Sequence, residues 1–166
     1  MYKGVLSSGI VVAVKKLNIE NHPEIEKSSI SELTALGQIC HRNLVKIIET
    51  LTTKAFKCLI LEYIPNGNLD LHLHAAIPVL SWEHQLKIAL GVAHGLVYLH
   101  NETGFSQVLH CDLKPSNILL NEDFEPHIRD FGISRVTSSE VNKSVSVTAI
   151  QGSIGYVVPG MYSNKS

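Results

Sequence analysis

A segment in the second half of the chain reads His110-Cys111-Asp112-Leu113-Lys114-Pro115-Ser116-Asn117 and is followed by Asp130-Phe131-Gly132. Together the two motifs carry two acids, a lysine and an amide. One carboxylate of such a set can receive the proton of a hydroxyl group. An asparagine and a second carboxylate offer the oxygen ligands that Mg²⁺ prefers. These are the groups that phosphoryl transfer from ATP requires, so the two motifs predict a site for that chemistry.

The order of the two motifs resembles the catalytic loop and the metal-binding triplet of the protein kinases. By that resemblance Asp112 is the catalytic base, and Lys114 stabilises the charge on the phosphoryl group in transit. Asn117 and Asp130 then hold two Mg²⁺ ions beside ATP. The form Asp-Leu-Lys-Pro-x-Asn is similar to that of serine/threonine kinases rather than tyrosine kinases. The alternative role for these Asp and Asn residues is in turns, where both are common.

A strand-like segment near the start of the chain, Val12-Ala13-Val14-Lys15, resembles the kinase strand whose lysine grips the α- and β-phosphates of ATP. Pro23 begins a predicted helix that runs to Leu36. Glu32 lies within this helix, and in the family such a glutamate pairs with the lysine and holds it towards ATP. The alternative for Lys15 is a surface position at the end of a strand, and for Glu32 an exposed helical position.

Two further segments, His41 to Lys46 and Leu61 to Leu69, are similar to plant receptor-like kinases of the leucine-rich-repeat type. The resemblance implies an adenine pocket with one residue at its back, two positions whose backbone bonds the adenine edge, and two residues that sandwich the ring. These are Leu61, then Glu62 and Ile64, and then Ala13 and Leu119. Without the resemblance, the apolar members of this set would be assigned to the core.

Cys111 stands where most family members carry arginine. A neutral thiol cannot make a charge-assisted contact with a phosphorylated activation loop. The resemblance therefore implies a non-Arg-Asp kinase that is not activated through this contact. It also implies ATP and a protein with Ser or Thr hydroxyls as substrates, with another receptor kinase as a candidate partner.

The composition excludes several other classes. The chain has 166 residues, 45% hydrophobic residues, a formal net charge of -1 and three cysteines. This balance predicts a globular protein without the basic surface that nucleic acid requires. The cysteines share no short spacing and predict reduced thiols in an intracellular protein. No apolar run is long enough for a membrane span. The resemblance to receptor-like kinases implies that this chain is cytoplasmic and that its full-length relatives are plasma-membrane receptors with a cytoplasmic kinase domain.

The predicted fold class is α+β, an incomplete two-lobe kinase-like fold. A β-rich N-lobe occupies residues 1–62, a hinge 63–67, and a C-lobe part with the catalytic loop and activation segment 68–166. Its longest helix is predicted from Trp82 to His100, where apolar residues recur at helical spacing. By comparison with the family, we expect the chain to lack the first strand, the Gly-rich loop and the later helices. Gly160 stands where the family carries a structural glutamate.

The predicted function is transfer of the ATP γ-phosphoryl group to protein serine or threonine hydroxyls. Two alternatives stay open at this point. One is a catalytically impaired pseudokinase that acts as a binding module, which the expected lack of a Gly-rich loop favours because that loop normally covers the phosphates. The other is a gene fragment whose product does not fold. The complete set of Lys15, Asp112, Asn117 and Asp130 favours the enzyme.

Overall fold

The first half of the chain forms a four-stranded antiparallel sheet in the order β1-β2-β4-β3. The structure is a computed structural model that describes residues 1–17, 37–53, 56–75, 80–103, 107–130, 135–137, 153 and 155–156. The four strands are β1 Tyr2–Val5, β2 Val11–Leu17, β3 Ile47–Thr52 and β4 Lys57–Glu62. The central strands β2 and β4 are rich in β-branched and leucine residues, which suit a pleated surface that is partly buried.

A tight turn joins β1 to β2. Gly9 has a φ of 84°, which glycine adopts without steric cost. Its N–H donates to the Leu6 carbonyl at 2.8 Å, and the Leu6 N–H donates to the Ile10 carbonyl at 2.9 Å. The segment Val5-Leu6-Ser7-Ser8-Gly9-Ile10 predicts a hairpin turn between two strands from the sequence alone, and the pairing of β1 with β2 confirms it. The predicted helix from Pro23 to Leu36 lies outside the described residues.

The second half is mainly helical, with short strand pairs. Its elements are α1 Leu69–Leu73, α2 Trp82–Val97, β5 Gln107–Leu109, a 3₁₀ turn at Pro115–Asn117, β6 Ile118–Leu120, β7 Pro126–Ile128 and β8 Arg135–Thr137. Strand β5 pairs with β8 and β6 with β7, both antiparallel. The expected α+β class, with strands first and helices later, is confirmed. Within the described ranges no helix has both the length and the apolar character needed to cross a membrane.

The long predicted helix is confirmed, but its end differs. It was expected to run to His100, whereas α2 ends at Val97 and a π-helical segment, Tyr98–Glu102, continues it. At its start, the Ser81 hydroxyl accepts from the His84 N–H at 3.2 Å, which caps a free backbone donor. The apolar spacing alone could not distinguish these two helical forms, because the π-helical segment is only about one turn long.

Two glycines let α2 approach the loop before β3 and the strand β7 closely. A Cβ atom built on Gly91 would lie 2.4 Å from Pro126 Cγ, and one on Gly95 would lie 2.9 Å from Ile128 Cδ1. Asn43 fills the remaining space and donates from Nδ2 to the Pro126 carbonyl at 2.9 Å. This contact positions the loop that carries Asp130, because β7 leads directly to that residue.

Gly91→Ala is expected to destabilise the protein by up to about 2 kcal/mol. Overpacking costs about 1–3 kcal/mol, and the gain of about 1 kcal/mol that alanine brings within a helix offsets part of that cost. Urea unfolding followed by circular dichroism measures the change. Leu90→Ala on the same helix is the control, because Leu90 is 53% exposed and its truncation should change stability by less than about 0.5 kcal/mol. An alanine variant at 91 more stable than the wild type would contradict this packing.

Residues 63–67 connect the sheet to the helical part and are held against β6. The Asn66 N–H donates to the Leu120 carbonyl at 3.1 Å, and the Leu120 N–H donates to the Gly67 carbonyl at 2.9 Å. Gly67 has a φ of 72°, so its backbone conformation favours glycine. The division into two lobes with a hinge at this segment stays a prediction.

Candidate functional site

The catalytic segment predicted from the sequence lies between β5 and the 3₁₀ turn, and His110 anchors it. His110 Nε2 donates to the Arg129 carbonyl at 2.9 Å, while His110 Nδ1 accepts from the Asp112 N–H at 3.2 Å. Burial lowers the pKa of His110, and the hydrogen bonds and nearby carboxylates oppose this only partly. A neutral ring with one donor and one acceptor matches both contacts. The histidine therefore joins the segment to the loop that carries Asp130.

Asp112 accepts hydrogen bonds from three sides. Its Oδ2 accepts from Asn117 Nδ2 at 3.1 Å and lies 2.9 Å from Lys114 Nζ. Its Oδ1 accepts from the Ser153 hydroxyl at 2.8 Å and from the Ser153 N–H at 2.9 Å. Burial alone would raise the pKa of this carboxyl, but the bonds from Lys114 and Ser153 lower it below its usual value. Asp112 is therefore an ionised carboxylate in a fixed orientation at neutral pH.

Ser153 is a site residue to which the sequence analysis gave no role. Besides its two bonds to Asp112, its hydroxyl accepts a hydrogen bond from Lys114 Nζ. The signal available in the sequence was the segment Gly152-Ser153-Ile154-Gly155, but nothing local indicates where that segment folds back. Asp112, Lys114 and Ser153 form one connected polar cluster, which can hold a carboxylate beside a cation.

Lys15 comes from the sheet and reaches Asp130 across the structure. The distance from Lys15 Nζ to Asp130 Oδ1 is 2.5 Å. Their side chains are 29% and 19% exposed, so the pair is shielded but accessible to a ligand. Asp130 has a φ of 64°, a turn conformation that aspartate tolerates better than most residues. Glu32, the predicted partner of Lys15, lies outside the described residues.

Asn117 is buried and connects the two carboxylates. Its Nδ2 donates to the Asp112 carbonyl at 2.9 Å as well as to the Asp112 side chain. Its Oδ1 accepts from Arg129 Nε at 3.4 Å, and the same nitrogen lies 3.7 Å from Asp130 Oδ2. The orientation of the Asn117 amide leaves its oxygen, rather than its nitrogen, on the side of Asp130.

The residues predicted to hold Mg²⁺ fit that ion in donor type. Asn117 Oδ1 and Asp130 Oδ2 are hard oxygen ligands that share Arg129 Nε as a neighbour. Among the described residues, no group of three or more His, Cys, Asp or Glu side chains could hold a metal ion. A magnesium ion at these two oxygens would therefore complete its coordination with water or phosphate, which is its common mode in nucleotide sites.

The apolar residues predicted for the adenine pocket lie together. Val45, Leu59 and Leu61 form a buried cluster, and the partly buried residues packed against it include Ala13, Ile64 and Leu119. Glu62 lies outside this cluster, because its side chain points to the face of β4 opposite to that of Leu61. Glu62 Oε1 accepts from the Lys46 N–H at 2.7 Å, and the Glu62 N–H donates to the Lys46 carbonyl at 3.0 Å. Because the Glu62 side chain and N–H both bond Lys46, the Glu62 carbonyl is the group left for the predicted pocket.

The described site residues form a continuous chain of polar contacts beside this apolar cluster. From one end to the other the chain comprises Lys15, Asp130, Arg129, Asn117, Asp112, Lys114 and Ser153. At one end, the cations Lys15 and Arg129 contact the Asp130 carboxylate, and such a group of cations suits the binding of a polyanion. At the other end lies the Asp112 carboxylate, which can accept a proton. The arrangement can therefore bind phosphates and receive a hydroxyl proton within one site.

Comparison with known proteins gives concordant matches. A family model described as "Protein kinase domain" matches residues 1–166. The receptor-like serine/threonine-protein kinase ALE2 of Arabidopsis thaliana is 41% identical over 159 residues, covering 96% of this chain and 21% of that protein. The probable leucine-rich repeat receptor-like protein kinase At5g63930 of Arabidopsis thaliana is 42% identical over 163 residues, covering 96% of this chain and 14% of that protein. Wall-associated receptor kinase 3 of Arabidopsis thaliana is 38% identical over 165 residues, covering 98% of this chain and 22% of that protein. The chain spans less than a quarter of the length of these relatives.

Proposed function

This chain belongs to the protein kinase family, and on that basis we propose that it transfers the γ-phosphoryl group of ATP to serine or threonine hydroxyls of proteins. The observation that carries the proposal is the Asp112 carboxylate, which Lys114, Asn117 and Ser153 hold in one orientation. A general base must be ionised and fixed within hydrogen-bonding reach of the proton it accepts. A relative named as a serine/threonine-protein kinase, and the form Asp-Leu-Lys-Pro-x-Asn of the catalytic segment, support these hydroxyls over tyrosine.

In this mechanism Asp112 orients the substrate hydroxyl and accepts its proton. Lys114 lies 2.9 Å from Asp112 Oδ2, so its ammonium is close enough to stabilise negative charge that develops on the transferring group. Ser153 keeps Asp112 Oδ1 occupied by two donors and so restricts the rotation of the carboxylate. The contribution of these residues is positioning and electrostatic stabilisation, which dominate phosphoryl transfer.

On the nucleotide side, Lys15 contributes a cation towards the α- and β-phosphates, and Glu32 is proposed as its second partner. Ala13 and Leu119 sandwich the adenine ring, Leu61 closes the back of the pocket, and the backbones of Glu62 and Ile64 bond the adenine edge. Asn117 and Asp130 would hold Mg²⁺, which neutralises negative charge on the phosphates when it is bound. The apolar residues exclude water from the ring, since they pack around one cluster.

Incubation with Mg²⁺ and ATP labelled at the γ-phosphate tests the proposal. The 166-residue chain is expected to label a generic basic protein substrate. Hydrolysis of that substrate to its amino acids should release phosphoserine or phosphothreonine and no phosphotyrosine. If the wild-type chain labels the substrate no more than an Asp112→Asn variant does, the proposal that this chain is an enzyme is contradicted. If ATP nevertheless raises the melting temperature, the chain is a nucleotide-binding pseudokinase, and without a cooperative melt it is a fragment that does not fold.

We also propose that the chain belongs to the non-Arg-Asp subset of receptor-like kinases. Cys111 is exposed, and its thiol donates only a weak hydrogen bond to the Leu109 carbonyl at 3.6 Å. This side chain offers no guanidinium to a phosphorylated loop, so activation by that contact is not expected. Because its relatives are named as receptor-like kinases, we propose that the chain works with a partner receptor kinase. We propose the cytoplasm as the place where it acts.

A further inference from the structure

Arg129 is a charged residue at the centre of the site to which neither the sequence analysis nor the proposed mechanism gives a role. Its backbone is held from both sides. The Arg129 N–H donates to the Asn117 carbonyl at 2.9 Å, and its own carbonyl accepts from His110 Nε2 at 2.9 Å. The position from which the side chain leaves the backbone is therefore fixed by the same residues that support the catalytic segment.

The Arg129 side chain lies against both oxygens that could hold a metal ion. Its Nε is 3.4 Å from Asn117 Oδ1 and 3.7 Å from Asp130 Oδ2. The side chain is 24% exposed, so it is shielded from most of the solvent without being sealed off. A positive charge is thus already present beside both oxygens.

The far end of the guanidinium points towards the sheet. Its Nη1 lies 4.0 Å from the Met1 sulfur, just before β1. Sulfur is a weak acceptor, so this contact leaves the planar fork of donors able to bind stronger acceptors. Within the described part of the chain, Arg129 therefore extends from the metal-ligand oxygens towards the β-sheet with donors available for an anion.

Among the described residues, each carboxylate around this position has a cationic neighbour without a metal ion. Asp130 is contacted by Lys15 and Arg129, and Asp112 is contacted by Lys114. The described members of this set are three cations and two carboxylates, so together they carry one net positive charge. That charge attracts a polyphosphate in the absence of a divalent cation.

We infer that Arg129 binds the phosphates of ATP and supplies much of the charge neutralisation that Mg²⁺ would otherwise provide, so that ATP binds this chain nearly as well without magnesium. The inference rests on the proposed function, because it takes ATP as the anion. Guanidinium remains charged at all relevant pH values and matches phosphate with two parallel hydrogen bonds. The proposed role of Arg129 is in ATP binding and not in the rate of phosphoryl transfer.

Calorimetric titration with ATP, in EDTA and again in excess Mg²⁺, tests this inference. The wild-type chain is expected to bind ATP in EDTA with a Kd within about threefold of the Mg²⁺ value. Arg129→Ala should weaken binding in EDTA by about tenfold or more, the loss of one charge-assisted contact, and weaken binding in Mg²⁺ much less. Arg129→Lys keeps the charge and should retain part of the EDTA binding.

Arg42→Ala is the matched control, because Arg42 is exposed and contacts His94 on α2, away from the site. It should bind ATP like the wild type in both buffers. A thermal melt of each variant checks folding, and Arg129→Met, which keeps the apolar stem, replaces the alanine variant if that melt is not cooperative. Wild-type binding that requires Mg²⁺, or an equal response of wild type and Arg129→Ala to EDTA, would overturn the inference alone. No ATP binding in either buffer would overturn the proposed nucleotide site with it.

Discussion

Asp112→Asn lowers the rate of phosphoryl transfer by about 10²- to 10⁴-fold, the usual contribution of a general base, while ATP binding changes little. This is the largest effect we expect from a single substitution. The amide keeps the shape of the carboxylate, and its single oxygen can still accept from Ser153, whereas the NH₂ group at the other position can no longer accept from Asn117. It cannot accept a proton, and it removes the negative charge beside Lys114. An interaction needed only in the transition state lowers kcat without raising KM for ATP.

Initial rates with γ-labelled ATP, measured over a range of ATP concentrations, separate kcat from KM. Asp123→Asn is the control, since it makes the same chemical change at an exposed turn between β6 and β7. Because the pKa of Asp112 is lowered in the folded protein, its titration should add no acid limb to the rate profile above about pH 5. A rate for Asp112→Asn within about threefold of the wild type would remove Asp112 from the proposed chemistry.

Lys15→Met is expected to produce the second largest effect, a loss of about 10²-fold or more in the transfer rate, comparable to removing one electrostatic stabiliser. The ammonium lies 2.5 Å from Asp130 Oδ1, so its removal leaves that carboxylate with Arg129 as its described cationic neighbour. The nucleotide also loses the cation proposed for its phosphates. ATP affinity should fall as well, because this charge acts in the ground state and in the transition state.

Lys16→Met is a closely matched control, because neighbouring residues of a strand point to opposite faces. Lys16 is exposed, whereas Lys15 is partly buried against Asp130. Transfer rate and the ATP-induced rise in melting temperature should both stay at wild-type level in the Lys16 variant. Equal effects of the two substitutions would indicate loss of general positive charge rather than loss of the contact between Lys15 and Asp130.

Much of the local structure could be predicted from the sequence. The turn at Gly9 and the strand pair that contains Ile118 and Ile128 follow from turn chemistry and short apolar runs, and both are present. The short helix α1 was not predicted, because its five residues are too few for a periodic pattern. Its start depends on Asn68, whose side chain accepts from the Leu71 N–H at 3.0 Å.

The buried face of α2 shows a limit of pattern reading. Leu86 and Leu90 recur at helical spacing, yet they are 48% and 53% exposed. The buried residues of the helix are Ile88, Gly91 and Gly95. Hydrophobicity scales do not select glycine as a contact residue, because its role here is to be small. Only the position of Pro126 and Ile128 makes that absence of a side chain necessary.

From its sequence alone, this protein could be assigned the residue types of a phosphoryl-transfer site, their order and the α+β class, since each depends on local chemistry or periodicity. The tertiary structure alone decided which of those groups meet. Lys15 and Asp130 are 115 residues apart in sequence, and Ser153 and Asp112 are 41 residues apart. It also placed Arg129 beside Asn117 Oδ1. The physical reason is that hydrogen bonds and charge pairs act over a few ångströms, so they depend on how distant segments fold together rather than on spacing along the chain.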